Sequence, residues 1–240
     1  MRRNFDITFI ILIAILAFNS FRGGAFSDPM GWLMNTLMLL PAIIIGLSFH
    51  EYAHAVVAYK LGDPTPKMQR RVTINPLAHI DWVGFAALIF CGFGWGVPVQ
   101  INPSNFRNRR RDELLVSLAG VTMNLIIAVI FAVVAKILML TLGQSFLSMD
   151  ALGSALWTMI LYIIQINLVL MIFNLIPCPP LDGFSIISEI FNIKHTEFYW
   201  TLYRYGNWIL IALIIFGVTR MIISPCVNFL FNLLWTYIIF

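Results

Sequence analysis

Residues 32–59 read WLMNTLMLLPAIIIGLSFHEYAHAVVAY, an apolar run broken by Pro41 and, near its end, by the polar group His50, Glu51 and His54. A helix that crosses a bilayer needs about 20 apolar residues. The run is long enough to span, and its polar interruption falls inside the span rather than at its edge. The rest of the chain agrees. Of its 240 residues 60% are hydrophobic and 11% charged, where an ordinary globular domain carries about 25% charge. With a mean hydropathy of +0.87, the surface of a water-soluble particle could not be covered. The composition predicts an all-α polytopic membrane protein of about six transmembrane helices, the lipid bilayer being its first partner, with residues 1–240 forming a single transmembrane domain. Cys91, Cys178 and Cys226 fit neither an even disulfide framework nor a paired metal knuckle, and read as small apolar residues.

Outward from this run, the expected spans are 7–18, 32–59, 114–141, 154–176, 205–223 and 226–240, the first following Met1-Arg2-Arg3 without an A-x-A-like cleavage site and so read as uncleaved. Segment 61–112 differs from all of these. It holds Gly62, Pro64, Pro66, Pro76 and Gly84, two Asn-Pro pairs and many of the cations, and its runs 71–74 and 97–101 look extended. It is expected to be a short strand-containing loop at the membrane surface. The net charge of +4 and the isoelectric point of 9.1 do not point to nucleic acid, because the cations gather between apolar segments. Six spans with a cytoplasmic N-terminus leave all but three of the fifteen Lys and Arg (Arg22, Lys136, Arg220) on the cytoplasmic side, as the positive-inside rule requires. A multi-pass cell-membrane protein with both termini cytoplasmic follows, with 61–112 a cytoplasmic-side insertion.

His50-Glu51-Tyr52-Ala53-His54 is an HExxH sequence. On a helix, positions i and i+4 lie about 40° apart and one turn up, so two imidazoles can converge on one ion with the glutamate beside it. This is the pattern of a zinc-activated hydrolase with Glu51 as the base. At this composition it would occur by chance on the order of 0.001 times, and burying a Glu and two His in a spanning helix is costly unless they have partners and a use. Catalytic zinc takes three protein ligands and keeps a fourth position open. The candidates for the third are His79 and His195, in polar loops, and Asp182, which follows the helix break of Asn174-Leu175-Ile176-Pro177-Cys178-Pro179-Pro180-Leu181-Asp182-Gly183. Three prolines in four positions there must interrupt the backbone ladder, and irregular backbone at membrane depth belongs where it lines a wet cavity. By itself, an Asp-Gly pair reads as a turn.

The HExxH motif in a membrane span, together with NxxPxxxLDG matched by Asn174, Pro177, Leu181, Asp182 and Gly183, resembles the site-2 protease family of intramembrane zinc metalloproteases. The loop text Ile74-Asn75-Pro76-Leu77-Ala78-His79-Ile80-Asp81 is similar to that of the compact prokaryotic branch without PDZ or CBS domains. The resemblance implies one zinc per chain held by His50, His54 and Asp182, with Glu51 as catalytic base. It also implies cleavage of peptide bonds within transmembrane segments, as in regulated intramembrane proteolysis. The family's G-P-x-x-N pattern is kept at Gly120 and Asn124, with Val121 in place of the proline.

Depth supports the grouping. His50 and His54 precede Lys60 by ten and six residues, which places them roughly 15 and 9 Å below that end of their helix at 1.5 Å per residue. Asn124 lies eleven residues beyond Glu113 on a helix running the other way, about 16 Å below the same surface. The expected substrate-binding residues are Asn124 and Asn174, the alternative being interhelical hydrogen-bond residues, with an edge strand at 71–74 or 97–101 pairing with the unwound transmembrane substrate. The competing reading is a membrane transporter that uses the same His, Glu and Asp cluster for a moving ion. A catalytically silent scaffold is disfavoured because every ligand and base position is filled.

Overall fold

The computed structural model describes residues 24, 27–91 and 94–240. The expected span at 7–18 lies outside the described residues.

Helix α1, Pro29–Lys60, is capped by the Asp28 side chain, which accepts the Gly31 N–H, and has proline at its first position. It runs unbroken through Pro41 and carries the HExxH residues. A short apolar helix, α2 (Trp82–Cys91), follows within the connecting segment. Helix α3, Arg109–Leu142, begins with reciprocal capping: Asn108 Oδ1 accepts the Arg111 N–H and Asp112 Oδ2 accepts the Asn108 N–H. It is continuous through Val121. Helix α4 is Ala151–Leu175, and α1, α3 and α4 pack on one another as the central bundle. Lipid solvates large apolar side chains as well as a protein interior does, so helices approach by placing small residues between them. Ala42, Ala55, Ala58, Ala128, Ala132 and Ala135 are fully buried, while Ile130, Val133, Ile137 and Leu140 on α3 are exposed. That inversion is expected of a protein whose solvent is hydrocarbon.

The chain turns after Leu175 through Pro177–Pro180 and re-enters a short helix, α5 (Asp182–Ile190). Gly183 makes the turn possible: a Cβ there would lie 2.3 Å from the Leu175 carbonyl oxygen, so only glycine lets α5 start against the last turn of α4. The far end of α5 is tied to the start of α3. Arg110 donates to the carbonyls of Glu189 and Ile190, and Lys194 pairs with both Glu113 and Glu189.

Helix α6 spans Glu197–Ile215 and α7 spans Val218–Leu234, the latter continuing as a π-helical turn to Ile239. Between them Gly217 is left-handed, with φ of 72°, a conformation that ends a helix and that glycine adopts without penalty. This corrects the expected spans 205–223 and 226–240. Apolarity is continuous across Gly217, but the backbone is not, so 205–223 is divided between two helices. Four helices among the described residues are long and apolar enough to cross a membrane: Pro29–Lys60, Arg109–Leu142, Ala151–Leu175 and Val218–Ile239.

Segment 61–112 is also corrected. The described residues contain no strand at 71–74 or 97–101, and the segment's one described β-pairing is the isolated antiparallel bridge Ile80–Gly96. The reason lies in where the backbone donors go: the Val97 N–H to the His79 carbonyl, the Val99 N–H to Glu51, and the Asn102 N–H to Asp63. Alternating apolar residues favour extension, but these donors are taken by a loop carbonyl and by side chains, and no ladder forms.

Candidate metal centre

His50 and His54 sit one turn apart on α1 and face α3, where Gly120 admits them. A Cβ at Gly120 would lie 2.4 Å from His54 Nε2 and 2.5 Å from His50 Cε1. Asp182, first residue of α5, completes the group. The three facing atoms form a nearly equilateral triangle: His50 Nε2 to His54 Nε2 is 3.0 Å, and Asp182 Oδ2 is 3.3 Å from each nitrogen. Zinc–nitrogen and zinc–carboxylate distances of about 2.0–2.2 Å at tetrahedral angles separate ligand atoms by about 3.3–3.5 Å. The two edges to Asp182, at 3.3 Å, fit that spacing, and the 3.0 Å edge between the imidazoles is slightly shorter.

The outer nitrogens settle which ring atoms face the centre. His50 Nδ1 lies 3.1 Å from Asn124 Oδ1, and His54 Nδ1 lies 2.7 Å from the Val116 carbonyl oxygen. Both partners accept, so each Nδ1 carries the hydrogen and each Nε2 presents a lone pair inward. Asp182 Oδ2 is buried with no hydrogen-bond donor of its own. Two lone pairs and one carboxylate oxygen converging without a donor is an arrangement that a cation satisfies. His50, His54 and Asp182 are the donor group of metal-binding geometry among the described residues. His79 is fully buried elsewhere, bonded through Nε2 to the Thr73 carbonyl, and His195 is exposed.

Glu51 points to the connecting segment, where its Oε2 accepts the Val99 N–H at 2.9 Å. That segment is in turn anchored by Asp63, which is fully buried and accepts from the Thr65 N–H and hydroxyl, the Asn102 N–H and the Asn105 amide. Burial pushes the Asp63 carboxyl up, but those donors outweigh it and hold its pKa below the ordinary carboxylate range. Asn124 is fully buried behind His50, its Nδ2 unpartnered. Asn174 is half-buried and its Nδ2 donates to the Leu170 carbonyl of its own helix.

Several contributors escape a sequence reading. The Val116 carbonyl and the Val99 N–H are backbone groups, indifferent to side-chain identity. Asp63 resembles any turn acid after Gly62. Asn167, fully buried on α4 near Gly46 of α1 with Oδ1 unpartnered, has no motif around it.

The profile of Peptidase family M50 matches residues 137–216, the part of the chain that contains Asn174 to Gly183. The Bacillus subtilis protein named "Putative zinc metalloprotease YwhC" is 41% identical over 167 residues, which cover 66% of this chain and 73% of that protein. The Mycolicibacterium smegmatis protein named "Putative zinc metalloprotease Rip2" is 25% identical over 218 residues, covering 86% of this chain and 79% of the relative. No solved structure matches the chain. An HExxH helix and an LDG turn brought to one metal-sized triangle, in a chain so similar to a named zinc metalloprotease, place this protein in peptidase family M50, the site-2 protease family of zinc metalloproteases.

Proposed function

We propose that this metalloprotease cleaves peptide bonds within the transmembrane segments of membrane-protein substrates, as in regulated intramembrane proteolysis, with one zinc held by His50, His54 and Asp182 and with Glu51 as the catalytic base. One observation carries the reading: the donor triangle lies between helices long and apolar enough to span a bilayer, so a peptide bond presented to it is presented within the membrane. The transporter alternative gives way to the family's hydrolytic chemistry.

A zinc ion bound at this triangle would lower the pKa of a water molecule and polarise the scissile carbonyl. The chain's own residues do the rest. The Glu51 carboxylate takes the proton of the attacking water and passes it to the leaving amine. Its Oε2 is held by the Val99 N–H, which fixes the carboxylate and leaves the other oxygen for the proton. Asn124 holds the tautomer of His50, and its unpartnered Nδ2, with the Asn174 amide, is the donor set we assign to substrate carbonyls. The site lies on the cytoplasmic side of the membrane, both termini being cytoplasmic, and water reaches it past the Pro177–Pro180 turn and segment 61–112.

The test is Glu51→Gln in liposomes carrying a single-span substrate. The amide is nearly isosteric and cannot accept a proton, so cleavage should fall at least ~10²-fold with one zinc still bound. Cleavage at the wild-type rate, or cleavage insensitive to a chelator, would refute the assignment.

A further inference from the structure

Where α1 ends and α3 begins, at one face of the bundle, a cavity of about 350 Å³ is lined by Lys60, Gly62, Arg107, Asn108, Arg111 and Asp112. Its charge is unbalanced. Three cations face one carboxylate, and Asp112 Oδ2 already accepts the Asn108 N–H. The neighbouring cations are engaged: Arg109 with Glu113, Arg110 with the last carbonyls of α5, Lys67 with the Tyr59 hydroxyl. Among the described residues, the Lys60 ammonium and the Arg107 and Arg111 guanidinium groups have no hydrogen bond or ion pair. Arg70, Arg204 and Arg220 are likewise unpaired but stand apart from the cavity, whereas these three cations converge on it.

We propose that this cavity binds a phosphate ester, taken from the headgroup of an anionic phospholipid at the membrane face. Two guanidinium groups present paired N–H donors at the spacing of phosphate oxygens, which an ammonium or a single carboxylate partner does not match. The start of α3 adds to the same field, since the first N–H groups of a helix lack intrahelical acceptors and its dipole is positive there. The cavity sits at the ends of two spanning helices, the depth at which phosphodiesters are concentrated. Lys60 belongs to the helix that carries His50 and His54, and Arg111 to the helix that carries Gly120 and Asn124. A bound headgroup would therefore bridge the two helices between which the metal centre lies.

The experiment uses the full-length chain in non-ionic detergent micelles, with lipid retention read by native mass spectrometry after adding phosphatidylglycerol or phosphatidylcholine, with and without inorganic phosphate. The wild type should retain phosphatidylglycerol at least about tenfold more tightly than phosphatidylcholine, the preference of paired guanidinium groups for an anionic phosphate. Arg107→Gln with Arg111→Gln should erase that preference without changing zinc content, Arg107→Lys with Arg111→Lys should keep part of it, and Arg204→Gln, an exposed cation on α6, should leave it intact. If the double variant fails to fold, Lys60→Gln reads the same preference. Competition by millimolar inorganic phosphate would mean that the phosphate group alone is recognised, and lack of competition that the lipid headgroup is needed; either supports the site. Equal retention of the two lipids by the wild type, or a loss for Arg204→Gln as large as for the double arginine variant, would overturn it.

Discussion

Gly120 is the residue on which the ligand geometry depends most, because it does nothing except leave room. Both imidazoles occupy the volume that a Cβ would take, at 2.4 and 2.5 Å, well inside van der Waals contact. Gly120→Ala should displace the rings rather than unfold a 34-residue helix in which alanine is otherwise favoured. The expected outcome is loss of zinc affinity with thermal stability of the zinc-free protein unchanged or raised, read by metal titration and melting of the chelated sample. Asn124 acts through an adjacent atom. Asn124→Leu removes the acceptor of His50 Nδ1–H and frees the other tautomer, whose Nε2 carries a hydrogen and cannot ligate. Losing such a partner typically lowers metal affinity or activity about 10–100-fold. Asn124→Asp, which restores an acceptor, should recover much of the zinc affinity; if Leu and Asp variants bind zinc equally, the tautomer argument is wrong.

The connecting segment between α1 and α3 works as a single element held at two points, Val99 on Glu51 and Asn102 with Asn105 on Asp63. Extended runs here suggested a strand that adds to the substrate, yet the Val99 N–H is directed at the proposed base. Val99→Pro deletes that N–H, whereas Val99→Ala keeps it. Cleavage of a single-span substrate should therefore drop several-fold for proline, little for alanine, and zinc content should be the same in both. Equal activity of the two variants would show that the contact with Glu51 has no part in turnover. Because the Asp63 carboxyl is held below its ordinary range, its anchoring is fully present above the unfolded carboxylate pKa of about 3.9. It is lost only as pH falls through the lower folded value, so acid sensitivity near neutrality belongs to other groups.

For the molecule as a whole, the proposed ligands come from two distant parts of the chain, α1 and the first residue of α5, with α3 and α4 between them. Anything that binds the folded arrangement and not the unfolded chain stabilises it by mass action. Removing zinc with a chelator should lower the melting temperature of the wild type by several degrees, and readdition should restore it. Glu51→Gln should show the same shift, since the proposed base is not one of the proposed ligands. Asp182→Ala should show little shift because its zinc is already weakly held. A wild type whose melting is indifferent to chelation would mean that the ion does not join α1 to α5. How much of this architecture is readable in the chain itself differs by feature. The apolar run around His50, the spacing of His50, Glu51 and His54, and the turn at Asp182-Gly183 are local patterns, and local sequence is enough because helical periodicity and proline stereochemistry act over a few residues. Asp182 as the proposed third donor was legible only through the resemblance of its motif, since an isolated Asp-Gly is an ordinary turn. The division of 205–223 at Gly217 was hidden because hydropathy averages over a backbone break. The missing strand, the Val116 acceptor, the Val99 contact and the cavity beside Lys60 were decided by tertiary structure alone: each depends on which backbone group or charge from a distant segment arrives opposite, and neither composition nor spacing carries that information.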